Sequence, residues 1–400
     1  DEHADIVVRF DSSPARVVFW RGTQYSPAWV TGNGLWMADQ SVEGYDDDYT
    51  WEHMNDKYNR YSHVRVIENH DARVVVHWRY APVDVHDRRM NVGERDEMGA
   101  WVDEYYTFYP DATGIRRVAW TTGTLGEPVQ FQESIPLLHP GQVQGDLIEA
   151  VYATVGNLDG ETDTLAYTAE GSRSRTGFPE NLSIQMHHFK SEQKPFIVFE
   201  PGNRMMYLWD LDERSLKRPG SSSHWPVGKL WSDGRTAQAP DRATSFLGFP
   251  ISEPPIHAAN GRSEIRSLYG MTEGPFEDIV VLARSWSQPP NLSVAGGAFD
   301  VQELDRSERA WRIARTGDGD ELDIRIAASD TSPLVNTALV IENWGNAAVS
   351  ARVDGVLVPR GSEFRYGYVN TLDGTDLVVW LRNEATSPTR IKLTGAPDAN

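Results

Sequence analysis

The sequence contains no cysteine, so it has neither a disulfide framework nor a thiol nucleophile, and its redox compartment cannot be inferred. No apolar run approaches the roughly 18 to 20 residues that a membrane-spanning helix needs. Positive charge is also scarce, since 38 Lys and Arg stand against 58 Asp and Glu, for a formal net charge of −20. A field of that sign repels phosphate unless a local basic patch overrides it, so we expect no nucleic acid as a partner. The lack of a long apolar run likewise predicts no membrane partner.

Lysine is rare even among the few basic residues. Only six of the 38 basic residues are Lys, and the rest are Arg. The planar guanidinium binds carboxylate and sulfate groups through two parallel hydrogen bonds, so an Arg-rich cleft could hold an anionic ligand on an acidic protein. An Arg-biased genome or a saline habitat would produce the same bias.

The length and the first residue suggest a large exported protein. A chain of 400 residues favours two or three domains, unless one large β-sandwich takes up most of it. The chain begins at Asp1 rather than at methionine, as it would after removal of an export signal or after trimming. We therefore expect a secreted or periplasmic protein, and a monomer.

Alternating apolar and polar residues dominate the chain and predict strands. Examples are RVVFW, HVRVI, RVVVHWRY, EYYTFYP, IRRVAW, DIVVLA, LDIRIA and LVVWLRN. We predict an all-β protein, with a large antiparallel β-sandwich of the super-sandwich type over residues 1–290 and a smaller accessory β-sandwich over 291–400. The alternative is a β-propeller, although no repeat period is visible. Residues 285–297, which contain Pro289 and Pro290, read as a linker.

The segment RYSHVRVIENHDARVVVHWRY, residues 60–80, predicts a hairpin with one polar face. With residues 68–72 as the loop, His63 lies opposite His77, and the Val and Trp78 side faces the core. The polar side would then gather imidazole, guanidinium and phenol groups on neighbouring strands. These residues are Tyr61, His63, Arg65, His77 and Arg79.

A second hairpin, with residues 110–114 as its loop, adds Tyr105 and Arg117 to such a face. A sheet face of Tyr, His and Arg is costly to form unless it is solvated or holds a ligand. Simple exposure to solvent explains any one of these side chains, whereas the cluster favours a ligand site.

The Gly-, Pro- and Ser-rich stretch 221–246 predicts a loop with further candidates. A Trp beside a His is typical of a site that stacks on sugar rings, and catalytic groups commonly lie on loops. Ordinary turns and loop packing would explain the same residues in this stretch. The candidates here are His224, Trp225, Asp233, Arg235, Asp241 and Arg242.

Metal signals are weak. The acidic runs at 45–49 and 317–321 could ligate a structural calcium ion, but neither has the spacing of an EF-hand loop. His187 and His188 are adjacent, so on a strand they point to opposite faces and cannot share one metal. We predict no catalytic metal and no certain cofactor.

Tyr, His and Arg without an obvious carboxylate pair favour β-elimination on a uronic acid over glycoside hydrolysis. A base removes the proton next to the carboxylate, a cation neutralises that carboxylate, and an acid protonates the leaving oxygen. Imidazole titrates near neutral pH, a phenol can donate or accept the proton, and guanidinium binds the carboxylate.

Several stretches within roughly residues 10–290 together resemble secreted bacterial all-β polysaccharide lyases that act on ulvan. They are FWRGTQYSPAWVTGNGLW (19–36), RYSHVRVIENHDARVVVHWRYA (60–81), DEYYTFYPD (103–111), HWPVGKLWSDGR (224–235), DRATSF (241–246) and LYGMT (268–272). The resemblance implies a sulfated algal glycan as substrate, in which uronate alternates with sulfated rhamnose. Because lyases of this class occur on more than one fold, the resemblance leaves the architecture open.

The resemblance also implies roles for residues within the matching motifs. Proton transfer would fall to Tyr61, His63 and His224. Carboxylate or sulfate binding would involve Arg65, Arg79, Arg117, Arg235 and Arg242, and stacking would involve Trp225. The strand pattern, rather than the resemblance, adds His77 and Tyr105 to the predicted substrate-binding residues. Three alternatives stay open: a non-catalytic carbohydrate-binding protein that uses the same surface, a glycoside hydrolase that uses Glu104, Glu133 or Asp233, and a purely structural sandwich protein.

Overall fold

The computed structural model describes residues 5–39, 41–45, 50–56, 58–93, 98–125, 129–169, 178–207, 212–217, 244–245 and 251–395. Its strands are β1 Ile6–Phe10, β2 Ser13–Phe19, β3 Pro27–Val30, β4 Trp36–Asp39, β5 Glu43–Tyr45, β6 Thr50–Trp51, β7 Ser62–His70, β8 Arg73–Tyr80, β9 Val102–Tyr109, β10 Thr113–Thr121, β11 Val129–Gln130, β12 Ser134–Leu138, β13 Ile148–Gly156, β14 Thr162–Ala166, β15 Ile184–Phe189, β16 Lys194–Phe199, β17 Arg204–Tyr207, β18 Thr244–Ser245, β19 Ile251–Glu253, β20 His257–Ala259, β21 Arg262–Thr272, β22 Leu292–Val294, β23 Phe299–Asp305, β24 Ala310–Arg315, β25 Glu321–Ile326, β26 Leu334–Glu342, β27 Val349–Val353, β28 Val356–Val358, β29 Phe364–Asn370, β30 Thr375–Ala385 and β31 Thr389–Gly395.

Helices are few. The α-helices are α1 Gln144–Leu147 and α2 Phe276–Ser287, and short 3-10 helices span Arg21–Thr23, His53–Asn55 and Glu213–Lys217.

The strands form several sheets, and the predicted all-β sandwich is confirmed. The largest sheet runs β14-β13-β15-β16-β21-β10-β9-β8-β7, with β20 added beside β21, and a six-stranded sheet runs β1-β2-β3-β4-β12-β18. Two five-stranded sheets run β22-β25-β31-β27-β28 and β23-β24-β26-β30-β29. Sheets of ten, six and five strands are not repeated four-stranded blades, so the described residues do not form the alternative propeller.

The chain divides into two compact units. The first comprises residues 1–66, 76–106 and 116–276, and the second comprises 67–75, 107–115 and 277–400. The second unit therefore includes the turn ends of the β7–β8 and β9–β10 hairpins. The predicted domain boundary near residue 290 stays a prediction.

In the first unit the six-stranded sheet packs on the ten-stranded sheet. Apolar side chains of both sheets share one buried cluster, which includes Met37 and Leu138 from the former and Tyr152 and Val155 from the latter. Elsewhere in the same interior, Phe19 of β2 meets Tyr106 of β9 edge to face, with 5.7 Å between ring centroids. Such burial of alternate residues from two sheets is what defines a sandwich.

A buried ion pair lies inside this sandwich. Glu104 of β9 accepts two hydrogen bonds from Arg116 of β10, at 2.8 and 2.9 Å, and both side chains are fully buried. The hydroxyls of Tyr80 and Tyr106 also donate to the Glu104 carboxylate, at 2.7 and 2.6 Å. Burial, and next the charge of Glu104, raise the pKa of Tyr80 well above its usual range, so this phenol stays a donor.

A second interior polar residue is His187 of β15, whose Nε2 lies 3.1 Å from the Ser134 hydroxyl. Burial, and next the neighbouring His188, lower the pKa of His187 to about 3, so the ring is neutral. His188 instead contacts the Thr154 hydroxyl at 2.9 Å. As predicted from their adjacency, the two imidazoles have separate partners on opposite sides of the strand.

The second unit has its own sandwich core. Ile324 and Ile391 of one five-stranded sheet pack with Leu339 and Val379 of the other. The opposite face of the sheet β23-β24-β26-β30-β29 is also apolar, through Ala338, Val340, Val378 and Trp380. Ala72 and Tyr109 from the hairpin ends cover this face. β30 is therefore buried on both faces, which explains its continuous apolar run.

Two local predictions were wrong. The stretch DIVVLA, predicted as a strand, lies in α2, because Ile279, Val280, Ala283 and Trp286 recur at helical spacing and are all buried. This helix and β22 also occupy parts of the predicted linker.

The loop of the first hairpin is shorter than predicted, because β7 continues to His70 and β8 begins at Arg73. The turn is therefore residues 71–72, so the strand pairing that was predicted with residues 68–72 as the loop does not apply. On the predicted core side Trp78 is fully buried, whereas Val66 on the sheet edge is 43% exposed.

Among the residues that the structure describes, no helix is both long enough and apolar enough to cross a membrane.

We expect Glu104→Gln to lower the free energy of unfolding by about 3–5 kcal/mol, because the variant leaves the Arg116 charge buried without a counterion. Urea unfolding followed by Trp fluorescence measures the change. The control is Arg382→Gln, which removes an exposed ion pair with Glu363 at 4.0 Å and should cost less than about 1 kcal/mol. Equal losses in both variants would contradict the role of burial.

Candidate functional site

The side of the ten-stranded sheet that carries Asp103 and Arg262 holds a layer of charged and aromatic residues. Alternation along β21 places Arg262, Glu264 and Arg266 on one side, while the intervening Ser263 and Ile265 are buried. On β9 the same alternation separates Asp103 from the interior Glu104. β9 and β21 thus each present polar side chains on the face opposite their buried residues.

His77 of β8 holds three neighbours in place. Its Nε2 lies 2.9 Å from Asp103 Oδ1, and its Nδ1 accepts a hydrogen bond from Arg65 Nε at 3.2 Å. The ring stacks on Tyr105, with 4.7 Å between centroids and an angle of 13° between planes. Since Nδ1 accepts from Arg65, Nε2 is the donor toward Asp103. Both ring nitrogens are therefore engaged, and His77 orients its neighbours.

The Asp103 carboxylate binds two arginines. Arg79 Nη1 donates to Oδ1 at 3.0 Å, and Arg262 Nη2 donates to Oδ2 at 3.4 Å. Burial alone would raise the pKa of Asp103, but the hydrogen bond from His77 and the Arg79 charge outweigh burial and lower it. The carboxylate is therefore ionised at neutral pH and holds two guanidiniums that are themselves 43% and 50% exposed.

Glu264 repeats this arrangement two strands away. Arg117 Nε donates to its Oε2 at 2.7 Å, and Arg266 Nε donates to its Oε1 at 2.9 Å. Burial would raise the pKa of Glu264, but the hydrogen bonds from Arg266 and Arg117 lower it overall. The site therefore contains two carboxylates that each fix a pair of arginines.

Aromatic rings line the same arginines. The Arg79 guanidinium lies 4.9 Å from the centre of the Trp101 ring, and that of Arg89 lies 5.9 Å from the same ring. Arg89 also lies 5.6 Å from the ring of Tyr61. Stacking holds a guanidinium in place without using its N–H donors, which leaves those donors for other partners.

His257 of β20 completes the layer. Its Nε2 lies 2.6 Å from Glu200 Oε2, and Arg266 Nη1 lies 3.8 Å from the other oxygen of Glu200. Glu200 is 4% exposed, whereas His257 is 43% exposed. His257 also pairs across the strands with Glu264. A buried carboxylate thus orients an accessible imidazole.

We name this connected layer the Arg-rich face. Its charged members include six guanidiniums and three carboxylates, which gives a local excess of positive charge on a chain of net charge −20. Its members are Tyr61, Arg65, His77, Arg79, Arg89, Trp101, Asp103, Tyr105, Arg117, Glu200, His257, Arg262, Glu264 and Arg266.

The structure brings together six of the predicted site residues. They are Tyr61, Arg65, His77, Arg79, Tyr105 and Arg117. His63 is exposed on β7, two residues before Arg65 and so on the same side of the strand. The residues His224, Trp225, Asp233, Arg235, Asp241 and Arg242 lie outside the described part of the chain.

Sequence reasoning missed the other members of the face. Alternation in RSEIRSLYG could have shown that Arg262, Glu264 and Arg266 share one side of a strand. The pairing of His257 with Glu200 joins residues 57 positions apart, and no local pattern signals it.

Glycoside hydrolysis and metal binding have less support among the described residues. Glu104 is fully buried and paired with Arg116, and Glu133 is 3% exposed, so neither is placed to flank a glycosidic bond. No group of three His, Cys, Asp or Glu in the described residues is arranged to hold a metal ion. In the run 317–321, Glu321 pairs with Lys392 at 2.7 Å, and residues 46–49 lie outside the description. Structural calcium stays a prediction.

Comparison with models of protein families gives no match, and neither does comparison with curated protein sequences. Among solved structures, the chain is similar to a GalM/aldose epimerase homologue from C. elegans, with 11% identity over 67% of this chain and 98% of that chain, at a TM-score of 0.28. It is also similar to galactose 1-epimerase from Lactobacillus acidophilus, with 9% identity over 67% of this chain and 94% of that chain, at a TM-score of 0.29. The resemblance to ulvan lyases stays a prediction.

We expect Asp103→Asn to destabilise the protein at neutral pH, because Arg79 and Arg262 lose their shared counterion. The lowered pKa of Asp103 means that its contribution is complete above the unfolded value of 3.8 and is lost as the pH falls through the folded value. The difference in free energy of unfolding between wild type and variant should therefore shrink in acid. Urea unfolding at several pH values measures it, and a constant difference down to the lowest pH would contradict the assignment.

Proposed function

We propose that the protein binds an acidic glycan on the Arg-rich face and cleaves it as a polysaccharide lyase, by β-elimination at a uronate. The observation that carries the proposal is the excess of guanidiniums over carboxylates on one aromatic-lined sheet face of an acidic chain. Polyanionic sugars offer the carboxylate and sulfate groups that guanidiniums bind in bidentate fashion. The sequence resemblance favours ulvan as the substrate and an extracellular location.

Arg79 and Arg262 are the best-placed groups to bind the uronate carboxylate. Each uses one terminal nitrogen toward Asp103, and a guanidinium has five N–H donors, so both retain donors for a ligand. Both side chains are about half exposed. Asp103 fixes their positions before substrate binds, which reduces the entropy lost on binding.

The same guanidiniums would lower the barrier of the reaction. When a base takes the proton from C5, negative charge spreads into the carboxylate, and fixed positive charge next to it stabilises that charge as it develops. The C4–O bond then breaks, a C4–C5 double bond forms, and the leaving oxygen takes up a proton. Tyr61 and His63 stay the sequence-based candidates for proton transfer among the described residues.

A non-catalytic carbohydrate-binding protein is the second candidate. It is favoured by one observation: both nitrogens of His77, the imidazole nearest Asp103, are already engaged. Such a protein would use the Arg-rich face for affinity alone.

The decisive experiment incubates the purified full chain with ulvan and with unsulfated uronate glycans, and follows ultraviolet absorbance from the unsaturated product. A lyase gives rising absorbance. Binding without rising absorbance would establish the binding protein instead, and saturated shorter products would establish a hydrolase. Neither binding nor cleavage of any acidic glycan would remove both candidates.

We expect Arg79→Gln and Arg262→Gln each to raise KM roughly 10- to 100-fold, because a charge-assisted hydrogen bond contributes about 1.5–3 kcal/mol. The matched control is Arg390→Gln, which removes a guanidinium that is 54% exposed and paired with Asp323 in the second unit. Initial rates over a range of glycan concentrations give KM. Unchanged KM in both variants, or an equal rise in the control, would contradict this role.

A further inference from the structure

We propose that His257, oriented by Glu200, is the proton-transfer residue of the Arg-rich face, and that it serves as both base and acid in a syn elimination. This inference rests on the proposed lyase function and assigns its chemistry to a residue that the sequence did not single out.

The geometry of the pair fits a general base. Glu200 is buried, and its Oε2 lies 2.6 Å from His257 Nε2, so the carboxylate holds the proton on Nε2 and leaves the Nδ1 lone pair to accept another. A carboxylate that fixes the tautomer of an imidazole and stabilises its cation is the logic of hydrolytic triads. The His257 side chain as a whole is 43% exposed, as access by a polymer requires.

The surroundings of His257 fit the charge changes of the reaction. The charged groups around it are Glu200, its cross-strand neighbour Glu264, and Arg266, which contacts both carboxylates. Arg117 binds the other side of Glu264. Arg262, which binds the uronate carboxylate in the proposed function, lies on the same side of β21 two residues before Glu264, so the bound sugar would present the adjacent proton toward the imidazole.

His77 and His63 fit this role less well. His77 gives both nitrogens to Asp103 and Arg65. His63 lies on the edge strand β7, which three strands separate from β21 in the sheet order. Among the described imidazoles of this sheet face, His257 is the one that combines exposure with a buried carboxylate partner.

With Nε2 bound to Glu200, Nδ1 is the nitrogen that can carry the substrate proton. Nδ1 takes the C5 proton, the C–H electron pair forms the C4–C5 double bond, and the C4–O bond breaks toward the oxygen. The imidazolium then returns the same proton to the leaving oxygen, so no other acid is needed. This route requires the proton and the leaving oxygen to lie on the same side of the ring, as in a 4-substituted glucuronate and not in its C5 epimer, iduronate.

The first test compares His257→Ala and His257→Gln with wild type on a glucuronate-containing glycan. We expect kcat to fall about 10²- to 10⁴-fold while KM changes little, which is the range for loss of a general acid–base group. Added imidazole should restore part of the turnover of His257→Ala, a rescue that a purely structural role would not show. His139→Gln, which removes another exposed imidazole, should keep full activity.

The outcomes separate the two proposals. Wild-type turnover in both His257 variants, or a loss that imidazole does not restore, would overturn this inference and leave the lyase function standing. Loss in His63→Gln with retention in His257→Gln would move the role to the edge strand. Equal cleavage of glucuronate and iduronate linkages would overturn the single-residue route. A wild-type protein inactive on every uronate glycan would remove the lyase function and this inference together.

Discussion

The buried ion pair between Glu104 and Arg116 is the interaction on which the arrangement of the Arg-rich face depends. Its two charges stabilise the interior only while they face each other, because either one alone in a dry core would be strongly unfavourable. The pair therefore fixes β9 against β10 and decides which way each strand faces. With Glu104 and Arg116 directed inward, alternation along the two strands turns Asp103 and Arg117 outward.

The outward side chains then organise one another through shared partners. Asp103 accepts hydrogen bonds from Arg79 of β8 and Arg262 of β21. Glu264 accepts them from Arg117 of β10 and from Arg266 of its own strand. Each carboxylate lowers the electrostatic cost of placing guanidiniums side by side. The outcome is a surface on which positive groups are numerous yet held in fixed positions.

The fold class and part of the site could be predicted from sequence because both depend on local alternation. A period of two along β8 and β9 was enough to place His77, Arg79 and Tyr105 on one face. The DIVVLA segment was predicted as a strand because Ile and Val favour strands. Its buried residues instead lie along one stripe of a helix, and their burial stabilises that helix. The partners of Asp103 and Glu200 could not be predicted, since the order of strands in the large sheet brings together residues far apart in sequence.

The second unit is not one continuous stretch of chain. The turn ends of two hairpins cover the apolar face around Trp380, and Arg309 binds Asp111 of one of those ends at 2.7 Å. If residues 277–400 alone were transferred to another protein, by recombination or by cloning, the sheet around Trp380 would therefore lose the hairpin ends that cover its apolar face. Inheritance of this unit is tied to that of the strands that bear Asp103 and His77, so the two parts of the chain must evolve together.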